Sequence, residues 1–256
     1  MLLFYIRHGD PNYEPNELTP LGVRQAEALA RRLSRYGLDE LYVSSSERAR
    51  ETAAPTEQLL KKQAVMLDWL NEDYAYREQS VPTEDGGSCW AFFRQDYIDL
   101  LTSREIRDLA GKWYEHPAFS GTDFAKGHLR LRREAREFLD NLGWEWDEER
   151  GQYRNRNYEA SEPEPYKPEV KTAAFMRDKR VAVFAHHGVG TNFLSAVLDI
   201  PYPEICLKTN IGHTGLSVIY FDDAKHYAVP QLLTLSDDGH LLMENMPTAY
   251  NNAIYF

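Results

Sequence analysis

Two apolar runs, residues 2–6 and 181–185, each stop at a turn of histidine and glycine: Arg7, His8 and Gly9 in the first case, His186, His187 and Gly188 in the second. Uninterrupted runs this short fit strands covered on both faces, since a strand with one wet face alternates apolar and polar residues. After the first run the period changes to a helical one. Thr19 and Pro20 form an N-cap and N1 pair, and Ala26, Leu29, Ala30 and Leu33 recur at offsets of three and four, which predicts a helix over 20–36 closed by Gly37. A strand over 40–44, cap candidates at 44–46, a helix over 48–62 bent or restarted at Pro55, and a strand at 65–67 follow. Strands alternating with helices require crossovers, and crossovers imply a parallel sheet.

Beyond Leu70, Asn71 and Glu72 the periodicity weakens. Four of the five tryptophans lie between Gly86 and Asp178, with a predicted helix over 126–142, a hairpin over 144–158 turning near Gly151, and a polar loop over 161–169. We read residues 86–178 as a largely helical insertion, a lid or pocket wall, within one α/β domain spanning 1–256. The sheet resumes at 180–185, a helix starts near Val189, and strands are predicted at 216–221 and 231–235.

Twenty-nine Lys and Arg against forty Asp and Glu give a net charge of −11, so general attraction to nucleic acid or to an anionic membrane is not expected. Cys89 and Cys206 stand far apart, without CxxC spacing, and no stretch has the length of a membrane span or a signal-peptide core. The expectation is a cytoplasmic protein.

Strand exits in a parallel sheet share one edge, where ligands bind. Arg7 and His8, Arg48, and His186 are therefore predicted to meet, with helix starts near Ser46 and Gly188 adding N–H groups suited to an anion. An arginine fork matches phosphate oxygens, and a histidine beside it can serve as nucleophile or acid–base. At this point the chain resembles the histidine phosphatase, or phosphoglycerate mutase-like, superfamily. Arg7, His8 and Gly9 match its first motif, the segment 44–53 with Arg48, Ala49, Thr52 and Ala53 its second arginine motif, Leu70, Asn71 and Glu72 its acid motif, and Ala185, His186 and Gly188 its second-histidine motif. Leu18, Thr19, Gly22, Gln25 and Ala26 resemble its first-helix pattern. The resemblance covers about 1–76 and 180–222.

The resemblance implies a three-layer α/β/α sandwich with a mostly parallel central sheet, and hydrolysis of a small phosphomonoester through a phosphohistidine on His8. Arg7, Arg48 and His186 would hold the equatorial oxygens, and Glu72 would protonate the leaving alcohol and then activate water. It implies no cofactor and no metal. Phosphoglycerate mutase-type transfer and non-catalytic binding of a phospholigand are the alternatives. Asp10, Pro11, Asn12 and Tyr13 depart from the family's usual continuation, and His187 adds an imidazole where glycine is frequent; of the two histidines, His186 is preferred because it comes first after the strand. Trp90, Phe92, Phe93, Trp113 and Tyr114 read as packing rather than a base-stacking platform. Arg130, Arg132 and Arg133 read either as determinants of substrate choice or as a solvated helix face.

Overall fold

The computed structural model describes residues 1–159, 178–250 and 254–255; the polar loop expected at 161–169 lies outside the described residues. A six-stranded sheet organises the chain. Its strands are β1 (Leu2–Arg7), β2 (Glu40–Ser44), β3 (Val65–Leu67), β6 (Arg180–Ala185), β7 (Leu216–Tyr220) and β8 (Gln231–Asp237), and a small separate sheet contains β4 (Trp144–Asp147) and β5 (Gln152–Asn155). The large sheet runs β8-β7-β1-β6-β2-β3; β1, β6, β2 and β3 are parallel, whereas β7 is antiparallel to both of its neighbours.

The uninterrupted apolar runs of β1 and β6 feed two cores at once, because successive side chains leave a strand on opposite faces. Leu2, Phe4 and Ile6, with Ala182 and Phe184, pack against Leu29 and Leu33 of α1 (Pro20–Leu33) and Ala49 and Ala53 of α2 (Glu47–Leu60). Leu3 and Tyr5, with Val181 and Val183, pack against Leu131, Ala135 and Phe138 of a long helix, Phe124–Asn141, and against Val189 and Phe193 of a helix His187–Leu198. Helices on both faces make the three-layer α/β/α arrangement. With α3 at Glu72–Gln79, the long helix is α4 and the His187 helix α5. A separate aromatic-rich cluster around Trp113, Phe92, Phe119, Phe124 and Tyr202 joins the segment preceding α4 to the residues that follow α5.

Several element ends differ from those predicted. Helix α1 stops at Leu33 and a turn carries the chain to Gly37 at φ 63°. Helix α2 is continuous through Pro55 and closes at Lys61 in the left-handed conformation. Helix α3 was not foreseen: it is short and buries just Ala75 and Gln79, so it carries no apolar period to detect.

One close backbone approach fixes the turn after β1. A Cβ on Gly9 would stand 2.8 Å from the Gly22 carbonyl oxygen, and one on Gly22 would stand 2.2 Å from that of Asp10. Gly22→Ala is therefore expected to lower stability by about 1–3 kcal/mol through overpacking, measured as a shifted urea midpoint; an unchanged midpoint would show that the turn can move aside.

Candidate active site

Each candidate side chain is placed by contacts the sheet edge provides. The His8 N–H donates to the Ala185 carbonyl at 2.9 Å and the Thr214 N–H to the carbonyls of Arg7 and His8 at 3.1 and 3.2 Å, so the exit of β1 is tied on both sides. The Gly9 N–H donates to Thr52 Oγ1 on α2 at 3.0 Å, and the Asp10 N–H to Gln25 Oε1 on α1 at 2.8 Å. Thr19 caps α1 by accepting from the Gly22 N–H and donates its hydroxyl to Asp10 Oδ2 at 2.6 Å. The residues of the first-helix and second-arginine patterns thus hold the turn that carries His8.

Arg7, His8, Arg48 and Glu72 line one cavity of about 500 Å³. His8 is 2 % exposed, and its Nδ1 lies 2.7 Å from the Gly9 carbonyl. A carbonyl can only accept, so Nδ1 carries the proton and Nε2 keeps a lone pair. Burial, with His186, Arg7 and Arg48 nearby, holds the His8 pKa well below the ordinary imidazole value, and the ring is neutral. Arg7 Nη1 donates to the Ile211 carbonyl at 2.7 Å and Arg48 Nη1 to Asn16 Oδ1 at 2.8 Å. Both bonds go to neutral oxygens, and both Nε atoms are buried without a hydrogen-bond partner among the described residues. Burial lowers the pKa of each guanidinium, that of Arg7 to about 10.

Glu72 is the first residue of α3, whose cap is Asn71, accepting from the Asp73 N–H. Its Oε1 accepts from the N–H groups of Gly188 and Val189 at 2.8 and 3.3 Å, at the start of α5. The two N–H groups fix Oε1 and leave Oε2 facing His186. Gly188 is required there, because a Cβ would meet Glu72 Oε1 at 2.4 Å and the Trp90 ring at 2.5 Å.

The two adjacent histidines separate. His186 is fully buried; its ring centroid lies 5.1 Å from that of His8, its Nε2 is 2.9 Å from Ser44 Oγ and its Nδ1 3.5 Å from Glu72 Oε2. His187, one residue into the helix, is the imidazole that lines the cavity, and its Nδ1 accepts from the Ile211 N–H at 3.3 Å.

Other cavity residues escaped the sequence reading. Tyr13 and Asn16 come from the divergent loop after Gly9; the Arg48 guanidinium sits 5.5 Å from the centroid of the Tyr13 ring. Tyr76, Trp90 and Phe93 form another wall, so Trp90 and Phe93 are lining as well as packing residues. Their only signal was aromatic enrichment. His213, buried with Nδ1 3.4 Å from Asp10 Oδ1 and its ring 5.8 Å from that of His8, belongs to no motif read beforehand. The arginines of α4 resolve the other way: Arg130 pairs with Glu78, Arg132 with Asp199, and Arg133 with Glu134, and none lines the cavity. They form a charged helix surface.

Burial also depresses His128 and His240 to about 4 and His187 to about 3. Such groups are neutral when folded and protonated when unfolded below their ordinary pKa, so stability is complete above pH 6.5 and lost as pH falls from there. Each costs about 2 kcal/mol at pH 5, and His8 and His186 act in the same direction. Thermal melts are expected to show a steep drop in Tm between pH 7 and 5; a flat profile would mean these rings titrate normally.

Comparison with known proteins agrees with the fold. Residues 3–96 match the family model of the histidine phosphatase superfamily, branch 1. A phosphoserine phosphatase from Entamoeba histolytica, solved with 3-phosphoglyceric acid, superposes with a TM-score of 0.57 at 17 % identity, covering 94 % of this chain and 98 % of that one. A mycobacterial glucosyl-3-phosphoglycerate phosphatase complexed with VO3 gives 0.54 at 17 %, covering 92 % and 98 %, and a putative alpha-ribazole-5'-P phosphatase from Escherichia coli gives 0.50 at 18 %, covering 93 % and 98 %. No curated protein sequence matches. The N-terminal third of the chain thus resembles the histidine phosphatase superfamily, and the fold as a whole is that of the solved phosphatases. Among the described residues no helix is long and apolar enough to cross a membrane.

Proposed function

We propose that this protein is a phosphomonoesterase that acts through a phosphohistidine on His8. The observation that carries the reading is a buried, neutral histidine with an unprotonated Nε2 that shares one cavity with two buried guanidinium groups whose bonds go to neutral oxygens. A phosphoryl group supplies the negative oxygens those cations lack.

His8 Nε2 attacks phosphorus and the ester P–O bond breaks as Glu72 gives its proton to the leaving oxygen. Water then attacks the phosphohistidine, Glu72 takes the water proton, and the N–P bond breaks to release inorganic phosphate. Arg7 and Arg48 hold the equatorial oxygens throughout. His186, packed against His8 and anchored on Ser44, steadies the phosphoryl group and faces Glu72. The segment from 86 onward serves as a pocket wall through Trp90 and Phe93. The substrate is small and phosphorylated, and the two free cysteines suit the cytoplasm.

A panel of phosphomonoesters, rapidly quenched, tests the reading. The expected result is release of inorganic phosphate with transient capture of an acid-labile, alkali-stable phosphoenzyme. Phosphate binding without turnover, transfer of the phosphoryl group back to 3-phosphoglycerate, or loss of activity to a chelator would overturn it.

A further inference from the structure

Resting on that reading, we infer that the leaving group is a planar aromatic one without a carboxylate or second phosphate. Glu72 Oε1 and the six-membered ring of Trp90 both crowd the space over Gly188, at 2.4 and 2.5 Å from the position of a Cβ there. Whatever is attached to the oxygen that Glu72 protonates therefore leaves alongside the Trp90 ring. Tyr76 meets Trp90 edge-on at 5.3 Å between centroids, with its hydroxyl held by the Ser88 carbonyl at 2.6 Å, and Phe93 lines the same wall while 55 % exposed. Offset and edge contacts of this kind suit a flat ring.

Charge makes the selection in the other direction. Among the described cavity residues the cations are Arg7 and Arg48, which the transferred phosphoryl group occupies, while His8 and His187 are held neutral by burial. Besides Glu72, the carboxylate lining the cavity is Asp73, the neighbour of Glu72 in the first turn of α3. An anionic leaving group would meet that carboxylate and no cation, a repulsive arrangement that a neutral or cationic ring avoids.

The test uses wild-type protein and substrates matched in leaving-group acidity. kcat/KM for 2-phenylethyl phosphate is expected to exceed that for ethyl phosphate and for 3-phosphoglycerate by about tenfold or more. Phe93→Ala, at an exposed position that leaves the fold intact, should cut the phenylethyl-over-ethyl ratio several-fold, mainly through KM. A wild-type ratio near one, or preference for 3-phosphoglycerate, overturns the inference while leaving the hydrolytic reading in place. Should no ester turn over, the hydrolytic reading falls instead, and binding decides the subsite: tighter binding of phenylphosphonate than of methylphosphonate supports it, and equal binding overturns it.

Discussion

His8→Ala is expected to lower phosphomonoester hydrolysis by on the order of 10⁴-fold and to abolish the phosphoenzyme, while leaving the affinity for vanadate or inorganic phosphate within about tenfold of wild type. The two effects separate because they rest on different groups. Nε2 of His8 supplies the bond to phosphorus, whereas Arg7 and Arg48, fixed by the Ile211 carbonyl and by Asn16, supply the charge that holds the oxygens. Removing the imbalance that burial imposes on the His8 ring should also make the variant less sensitive to acid than the parent. Stopped-time assays, quench capture and calorimetric titration of vanadate measure the three outcomes. Retained turnover would remove His8 from the chemistry, and loss of both turnover and binding would indicate a collapsed site.

How far these roles could be read from the sequence depended on whether they were local. Strand β6 was legible to the residue at its ends and β1 to within one, Arg7 being its last residue, because an apolar run broken by Arg7 or His186 has one reading when both faces are covered. The meeting of Arg7, His8 and Arg48 followed from parallel topology, which brings the strand exits to one edge, whereas Glu72 came from its likeness to the family's acid motif and His186, predicted to join them, lies beside His8 without lining the cavity. Gln25 and Gly22 were visible as a helix pattern, yet their use, holding the Asp10 turn, arises from the approach of two distant backbones. Which of His186 and His187 would open onto the cavity could not be read at all. They are neighbours at a strand-to-helix junction, and the difference between a covered ring and a lining one is set by Ser44, Glu72 and Ile211, each far away in sequence. Trp90 and Phe93 failed for the same reason: an aromatic side chain looks alike in a core and on a pocket wall. The continuity of α2 through Pro55 shows the converse, that tertiary packing of Ala49, Thr52 and Ala53 can override a local breaker.

Glu72→Gln should separate proton transfer from placement. Glutamine keeps an oxygen to accept from the Gly188 and Val189 N–H groups, so the start of α5 stays tied to α3, and what is lost is the proton. Attack on an alkyl phosphate, whose leaving oxygen must be protonated, is expected to slow by about 10²–10⁴-fold. With 4-nitrophenyl phosphate, whose leaving group departs as an anion, the first step should slow by less than about tenfold, so that nitrophenolate appears in a burst followed by slow turnover as the phosphoenzyme waits for activated water. Pre-steady-state mixing resolves the two phases. Equal losses for both leaving groups would mean that Glu72 acts by position alone. Gly188→Ala supplies the contrast, since its methyl group would displace both Glu72 and the Trp90 ring. It should depress both steps and weaken any preference for an aromatic leaving group, a pattern that loss of the proton by itself cannot produce.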